Sequence, residues 1–181
     1  LAIACSWDPE LAQKSAEIAA KEAAVSGVHV TFAPMVDLVR DPRWGRVMES
    51  TGEDSYLNQV FARAFVKGFQ GQDLSNDLQS VAACVKHFAA YGAAEAGRDY
   101  NTVDLSERQL RESYLPAYKA ALDEGCEMVM TAFNTVDGVP ATGNEKLMRN
   151  LLRDEWGFDG ILISDWGAVK ELIPHGVAED D

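Results

Sequence analysis

The sequence predicts an α/β fold, a partial (β/α)8 (TIM) barrel in which parallel strands alternate with helices. Helical and strand-like segments follow one another in the order α-β-α-β-α-β-α-β. The strand segments are almost continuous apolar runs, which indicates a parallel sheet covered on both faces. Polar residues crowd the carboxyl ends of these strands, where a barrel gathers its functional side chains: Asp37, Lys86, His87, Asn134 and Asp165.

An open doubly wound sheet is the competing architecture. It is disfavoured because no GxGxxG sequence opens a helix, and GxxxxGK[ST] is absent as well. A complete barrel takes about 250 residues. We therefore expect residues 1–181 to be a single fragment, about half of a barrel domain, with the rest of the barrel and any second domain outside it.

Local signals place four helices and four strands. Asp8 followed by Pro9 is typical of a helix start, and Ser106 with Gln109 three residues later is a capping box. Ser55 is a candidate N-cap for the second helix. The predicted helices cover residues 9–25, 56–70, 107–123 and 145–155. The predicted strands cover residues 28–32, 80–85, 127–131 and 160–164.

Composition and charge narrow the classes of function. Of the 181 residues, 47% are hydrophobic and 25% are charged, which is typical of one globular domain. The formal net charge of −13 makes nucleic acids and anionic membranes poor partners. There is no run of about 18 apolar residues that would span a membrane. The chain begins at Leu1, and no signal peptide is visible.

The three cysteines, Cys5, Cys84 and Cys126, are widely spaced and form no CxxC pair. We interpret them as small buried core side chains rather than as disulfide partners or zinc ligands. His29 and His175 have no partner at ligand spacing, and we interpret both as incidental. We expect neither a metal nor a cofactor.

Asp165 is the leading catalytic candidate, because it follows the last predicted strand and precedes an aromatic residue, Trp166. A carboxylate there can act as a nucleophile or a general base, and the alternative is an N-cap for the next helix. Lys86 and His87 lie at another strand end. They can hold ligand hydroxyls and lower the pKa of a nearby carboxylate, or they can be a solvated lysine and a partly buried histidine.

Arg43 and Arg46 flank Trp44 in a loop that contains proline and glycine. Two guanidinium groups beside an aromatic ring suit a polar, ring-shaped ligand. The alternative is a loop held together by bonds from the arginines to carbonyls and carboxylates. We expect both, with one of the two arginines structural.

Five short motifs occur in a fixed order along the chain: residues 32–37 (FAPMVD), 41–46 (DPRWGR), 52–54 (GED), 86–88 (KHF) and 163–166 (ISDW). Together they resemble glycoside hydrolase family 3, of the β-glucosidase type. The nearest likeness is to the periplasmic bacterial β-glucosidases, where residues 91–98 and 143–158 also look similar. Each motif is weak alone, but five in order are specific.

The resemblance implies a retaining glycosidase without a cofactor that hydrolyses terminal β-D-glucosidic bonds through a covalent glycosyl-enzyme. The family's nucleophile matches Asp165, and its sugar-binding residues match Arg46, Lys86 and His87. Arg98 and Met130 match further contacts. Such side chains form hydrogen bonds to the hydroxyls of the sugar ring, and these bonds can strengthen in an oxocarbenium-like transition state.

Departures from the family pattern qualify this picture. A tyrosine is common in the family where Phe133 stands, so a hydroxyl contact is missing there. The family's further sugar-binding aspartate and its acid/base glutamate have no counterpart in this chain. Family members that use a loop histidine instead are disfavoured, because residues 89–105 contain none.

We therefore expect the parent protein to be a periplasmic or secreted β-glucosidase that acts on β-glucosides or short oligosaccharides. The fragment alone should be inactive, and its exposed half-barrel edges should favour a homodimer. The alternatives are a non-catalytic half-barrel module and a sugar-binding α/β protein.

Overall fold

The computed structural model describes residues 1–180. Its first helix, α1 (Pro9–Val25), begins where the sequence predicts. The carboxylate of Asp8 accepts a 3.0 Å hydrogen bond from the backbone N–H of Leu11. Proline at the first helical position has no N–H that would need a partner.

The second helix, α2 (Ser55–Gln70), packs along α1. Its N-cap is Asp54, whose carboxylate accepts a 2.6 Å hydrogen bond from the N–H of Leu57. Ser55, the predicted cap, is instead the first helical residue and donates its hydroxyl to the carbonyl of Ser113. Aspartate and serine are equally good caps, so the sequence alone did not distinguish them.

Seven strands occur within residues 1–180: β1 (Val30–Thr31), β2 (Ala82–Phe88), β3 (Thr102–Val103), β4 (Met128–Thr131), β5 (Thr135–Val136), β6 (Val139–Pro140) and β7 (Ile161–Ile163). The larger sheet is parallel throughout, with the order β1-β2-β4-β7. Its strands follow chain order without the reversal typical of a doubly wound sheet. The predicted α/β class with a barrel-type sheet is confirmed, and the barrel is not closed within the described residues.

β2 is longer than predicted. It continues through Lys86 and His87 to Phe88, because the segment after β1 pairs with it. Met35 forms a parallel bridge with Lys86, and the N–H of Val36 donates to the Lys86 carbonyl at 2.9 Å. The two candidate site residues therefore lie within a strand. Pairing with Met35 fixes Lys86, whereas the register with β4 shifts between Val85 and Phe88, where His87 lies.

A second, smaller sheet of β3, β5 and β6 was not predicted. β5 and β6 form a hairpin whose turn residues, Asp137 and Gly138, have φ angles of 51° and 81°. That left-handed pair matches the Asp-Gly turn typical of two-residue hairpins. Strands of two residues carry too little alternation to be recognised from sequence.

The predicted helix over residues 107–123 is divided. α3 (Glu107–Gln109) leads into a π-helical segment, Leu110–Tyr114, and then into α4 (Pro116–Asp123). Pro116 has no N–H to donate, and the wider turn before it is closed by the N–H of Leu115 bonding to the Leu110 carbonyl at 3.0 Å. The fourth predicted helix is also π-helical and covers Lys146–Glu155.

Short 3-10 turns complete the chain: Ala4–Ser6, Val47–Glu49, Tyr91–Ala93, Glu95–Gly97, Ala141–Gly143 and Lys170–Leu172. No helix within residues 1–180 is both long enough and apolar enough to cross a bilayer.

The two faces of the larger sheet have different partners. One face, with Val85 and Val129, belongs to the main core, which also includes residues of the surrounding helices. The other face carries a smaller cluster built on Cys84, Met128 and Met130. Cys84 and Cys126 are buried, as predicted, whereas Cys5 is exposed in the first turn of the chain.

Candidate active site

His87 lies between two carboxylates at the carboxyl end of the parallel sheet. Its Nδ1 is 2.8 Å from Oδ2 of Asp37, and its Nε2 is 3.5 Å from Oδ2 of Asp165. The three residues come from distant parts of the chain: the segment paired with β2, β2 itself and the end of β7. The imidazole is 1% exposed, so solvent hardly screens either contact.

Asp165 has one oxygen engaged and one free. Oδ1 accepts a 2.6 Å hydrogen bond from the backbone N–H of Trp166. Oδ2 is buried and has no hydrogen-bond partner among residues 1–180. It lies 3.5 Å from Nε2 of His87, too far for a well-formed hydrogen bond. Because an unsatisfied buried oxygen is costly, this atom marks a place that a ligand can complete.

Glu49 joins the two long cations of the site. Its carboxylate accepts hydrogen bonds of 2.6 and 2.9 Å from Nε and Nη2 of Arg46, and Lys86 Nζ is 3.7 Å away. The hydrogen bond from Arg46 is the largest cause that holds the pKa of Glu49 below its usual value. The same bond raises the pKa of Arg46. Arg46 and Lys86 are therefore held near one another by a shared anion.

An aromatic cluster supports this group from the side. The Tyr91 ring packs edge-on against His87 at 5.3 Å and against Trp44 at 5.1 Å, measured between ring centroids. The guanidinium of Arg46 lies 5.8 Å from the centre of the Tyr91 ring. Burial raises the pKa of the Tyr91 hydroxyl, which stays neutral. The Tyr91 ring therefore contacts both the Arg46 guanidinium and the His87 imidazole and restricts where they lie.

Both loop arginines bond to carboxylates, Arg46 to Glu49 and Arg43 to Asp41, and Trp44 is buried. Arg43 is exposed and bonds to the carboxylate of Asp41, so it is the structural arginine. Trp44 is 1% exposed, and its Nε1–H donates to Asp99 at 3.0 Å. The hypothesis that this ring forms part of a ligand platform is wrong, because the loop buries it in the core.

Arg98 and Met130 lie apart from the hydrogen-bonded group. Arg98 is exposed, and its backbone N–H donates to the Glu95 carbonyl at 3.1 Å. Met130 is 5% exposed in β4 and packs with Cys84 and Ile163 in the smaller cluster on one face of the sheet. Neither side chain makes an ion pair or hydrogen bond to His87 or Asp165 within the described part of the chain.

Three residues of the site lay outside the predicted set. Asp37 was noted only as a polar strand-end residue, and Glu49 is part of a loop rich in acidic residues. Tyr118 gave no local signal, yet its hydroxyl is 2.8 Å from Oδ1 of Asp37.

Across residues 1–180, no three His, Cys, Asp or Glu side chains form a group able to hold a metal ion.

Comparison with known proteins decides the family. The model of the glycosyl hydrolase family 3 N-terminal domain matches residues 1–181. The chain belongs to glycoside hydrolase family 3. The likeness drawn from the five motifs is thereby confirmed, and it extends over the whole chain.

Two curated proteins are similar in sequence over nearly the whole chain. The periplasmic beta-glucosidase of Salmonella typhimurium is 50% identical over 180 residues, which is 99% of this chain and 23% of that protein. A beta-xylosidase of Formosa agariphila is 41% identical over 184 residues, covering 99% of this chain and 25% of that protein. The chain therefore spans about a quarter of the length of these relatives.

A solved beta-glucosidase structure has the same fold. The beta-glucosidase from Listeria innocua superposes with a TM-score of 0.97 at 60% identity, covering 99% of this chain and 25% of that one. That enzyme has also been crystallised with glucose. The roles of Asp165, Arg46, Lys86 and His87 in this chain remain predictions, which the geometry above makes specific.

Proposed function

We propose that this chain is the N-terminal part of the catalytic barrel of a retaining β-glucosidase, with Asp165 as its nucleophile. The observation that carries the proposal is the free Oδ2 of Asp165, which is buried, has no hydrogen-bond partner within residues 1–180 and faces His87. Two of the three relatives named above are beta-glucosidases and the third is a beta-xylosidase, which supports β-glucosides as the substrate class.

The attacking atom is defined by the hydrogen bonding of Asp165. Because the N–H of Trp166 ties Oδ1, Oδ2 is the oxygen free to attack the anomeric carbon. The new bond joins Oδ2 to that carbon while the bond to the leaving oxygen breaks, and the leaving oxygen takes a proton from a general acid. Water then cleaves the glycosyl ester, and two inversions retain the β configuration.

Arg46 and Lys86 act as donors to the sugar hydroxyls, and His87 binds a hydroxyl through Nε2. Lys86 and Arg46 are held together by Glu49, and His87 is held by Asp37. Donors fixed before the substrate binds lose little rotamer entropy on binding, so their bonds can stabilise the transition state. Arg98 and Met130 would contact more distant parts of the substrate.

The general acid lies outside this chain in our proposal. A retaining enzyme needs a second carboxyl about 5–5.5 Å from the first, protonated at working pH. Glu49 does not suit that role, because Arg46 lowers its pKa and holds it ionised. Asp37 does not suit it either, because it lies behind the imidazole, with both oxygens engaged.

The isolated chain is then inactive, and its open barrel edges favour association. Phe32 is 52% exposed beside β1 and Ile161 is 59% exposed in β7, the two edge strands. A second copy would cover them, as a homodimer. A periplasmic location for the parent is supported by the name of the Salmonella relative.

The test is hydrolysis of p-nitrophenyl β-glucoside by the longer protein that carries this chain, with the α-glucoside and β-xyloside as controls. Asp165→Asn should lower kcat by about 10⁴-fold or more, as loss of a nucleophile does. Asp159→Asn is the matched control, since Asp159 is exposed at the opposite end of β7. Equal activity of the two variants, or a preference for the α-glucoside, would refute the proposal.

A further inference from the structure

We propose that Asp37 is a positioning residue that holds His87 in the tautomer with a proton on Nδ1 and thereby aims Nε2 at Asp165. The inference rests on the proposed function, in which His87 contacts the sugar and Asp165 attacks it. It assigns a role to a buried pair, Asp37 and Tyr118, that makes no contact with Asp165 itself.

Asp37 and His87 meet in the interior of the protein. The side chain of Asp37 is 0% exposed and that of His87 is 1% exposed. Oδ2 of Asp37 accepts from the backbone N–H of His87 at 3.2 Å and lies 2.8 Å from Nδ1 of the same residue. One oxygen thus fixes both the backbone and the ring of His87.

The chemistry of the acceptor determines the tautomer. A carboxylate has no proton to give, so the short contact to Nδ1 requires an Nδ1–H donor. In the neutral ring Nε2 then carries the lone pair, so it can accept a hydrogen bond from a sugar hydroxyl, and it lies 3.5 Å from Oδ2 of Asp165. If the ring turned over, a ring carbon would face Asp37, and the 2.8 Å hydrogen bond would be lost.

Tyr118 holds Asp37 in turn. Its hydroxyl, on α4, lies 2.8 Å from Oδ1 of Asp37 and 2.6 Å from the backbone carbonyl of His87. Burial raises the pKa of Tyr118 well above its usual value, with the nearby carboxylate of Asp37 adding to the effect. The phenol therefore stays protonated and serves as a donor to this pair.

Replacing Asp37 with asparagine distinguishes the effect of its hydrogen bonds to His87 from the effect of its negative charge. In Asp37→Asn, the amide oxygen can accept both bonds from His87, while the NH₂ group donates to the Tyr118 oxygen, whose own proton goes to the His87 carbonyl. That arrangement keeps every hydrogen bond and removes only the charge. Asp37→Ala removes the acceptor altogether.

The experiment has two readouts, made on the longer protein that carries this chain. Ring ¹⁵N signals of labelled histidine report which nitrogen of His87 bears a proton, and His87→Asn assigns them. Kinetics with p-nitrophenyl β-glucoside are measured for Asp37→Asn, Asp37→Ala and a control, Asp104→Ala. Asp104 is an exposed aspartate that follows β3.

We expect a protonated Nδ1 in the wild type and in Asp37→Asn. Asp37→Ala should lose this preference and about 10²-fold in kcat/KM, the loss typical of a misplacement of about 1 Å. Asp37→Asn should stay within about tenfold of the wild type, and Asp104→Ala within about twofold. If Asp37→Asn instead carries the His87 proton on Nε2, it should lose activity as Asp37→Ala does, because in our proposal activity depends on how the His87 ring is held.

Three outcomes would overturn the proposal: a lone pair on Nδ1 in the wild type, full activity of Asp37→Ala, or an inactive Asp37→Asn with wild-type ring signals. The first and third outcomes can be measured even if Asp37→Ala does not fold. If the wild-type protein hydrolyses no β-glucoside, the proposed function fails, and the ring signals still decide the role of Asp37.

Discussion

His87 Nε2 and Asp165 Oδ2 lie 3.5 Å apart, although their strands, β2 and β7, are separated in the sheet by β4. Two strand spacings amount to about 9.6 Å. The side chains must therefore lean toward one another above the end of β4. Convergence of this kind is typical of a curved barrel sheet, whose strand ends surround one site. This short distance between His87 and Asp165 therefore links the fold to the proposed chemistry.

Replacing Glu49 with glutamine should weaken sugar binding. The change removes the anion that Arg46 and Lys86 share, so both cations lose their fixed positions. We expect kcat/KM for a β-glucoside to fall by about tenfold, mostly through KM. Glu53→Gln is the control, because Glu53 is exposed in the same loop. Identical kinetics of the two variants would mean that Glu49 does not organise the cations.

The Asp41–Arg43 pair should persist far into acid. Hydrogen bonds from Arg43 lower the pKa of Asp41 from 3.8 to about 2. Because the folded-state pKa is depressed, the contribution of the pair to stability is present above the unfolded value and is lost as pH falls through about 2. Arg43→Gln should return the Asp41 pKa toward 3.8, which an NMR titration of its carboxyl carbon will show. An unchanged titration curve would contradict the assignment of Arg43 as the structural arginine.

Gly68→Ala should destabilise the contact between α1 and α2. A Cβ at this position would meet the Gln13 carbonyl oxygen at 2.4 Å and the Ala16 Cβ at 2.5 Å. Overpacking of this kind costs about 1–3 kcal/mol, set against up to about 1 kcal/mol gained in helix propensity. The free energy of unfolding in urea measures the balance. Gly45→Ala is the control, since its Cβ would meet nothing within 4 Å; equal stabilities would disprove the close crossing.

The sequence predicted most elements whose signals are local. The Asp8-Pro9 helix start and the apolar strand runs are visible because a few adjacent residues determine them. The break at Pro116 carried a local signal too, but the predicted helix ran through it. The small second sheet gave none, since its strands are only two residues long.

The candidate site was predictable only in part, for the same reason. Asp165, Lys86 and His87 follow or end apolar runs, so their place at strand ends could be predicted. The partners that hold His87 could not, because Tyr118 is 81 residues from Asp37 in sequence and meets it only through packing of α4 on the sheet. The burial of Trp44 likewise depends on tertiary packing that no local pattern reports.

The isolated 181-residue chain should turn over no β-glucoside and should self-associate. A general acid contributes about 10²–10⁴-fold to such a reaction, and the proposed acid lies outside the chain. Light scattering and a chromogenic assay on the purified chain measure both properties. A stable monomer with activity close to that of the longer protein would show that the missing elements are not needed.

Covalent labelling with a 2-deoxy-2-fluoro-β-glucoside that carries a good leaving group tests the central claim most directly. The fluorine slows both steps of a retaining reaction, and the leaving group keeps formation of the glycosyl-enzyme faster than its hydrolysis, so the ester accumulates and is located by peptide mass spectrometry. We predict one fluoroglucosyl group on the peptide that contains Asp165, and no label in Asp165→Asn. A label on any other carboxylate, or an active enzyme that accumulates none, would contradict the account.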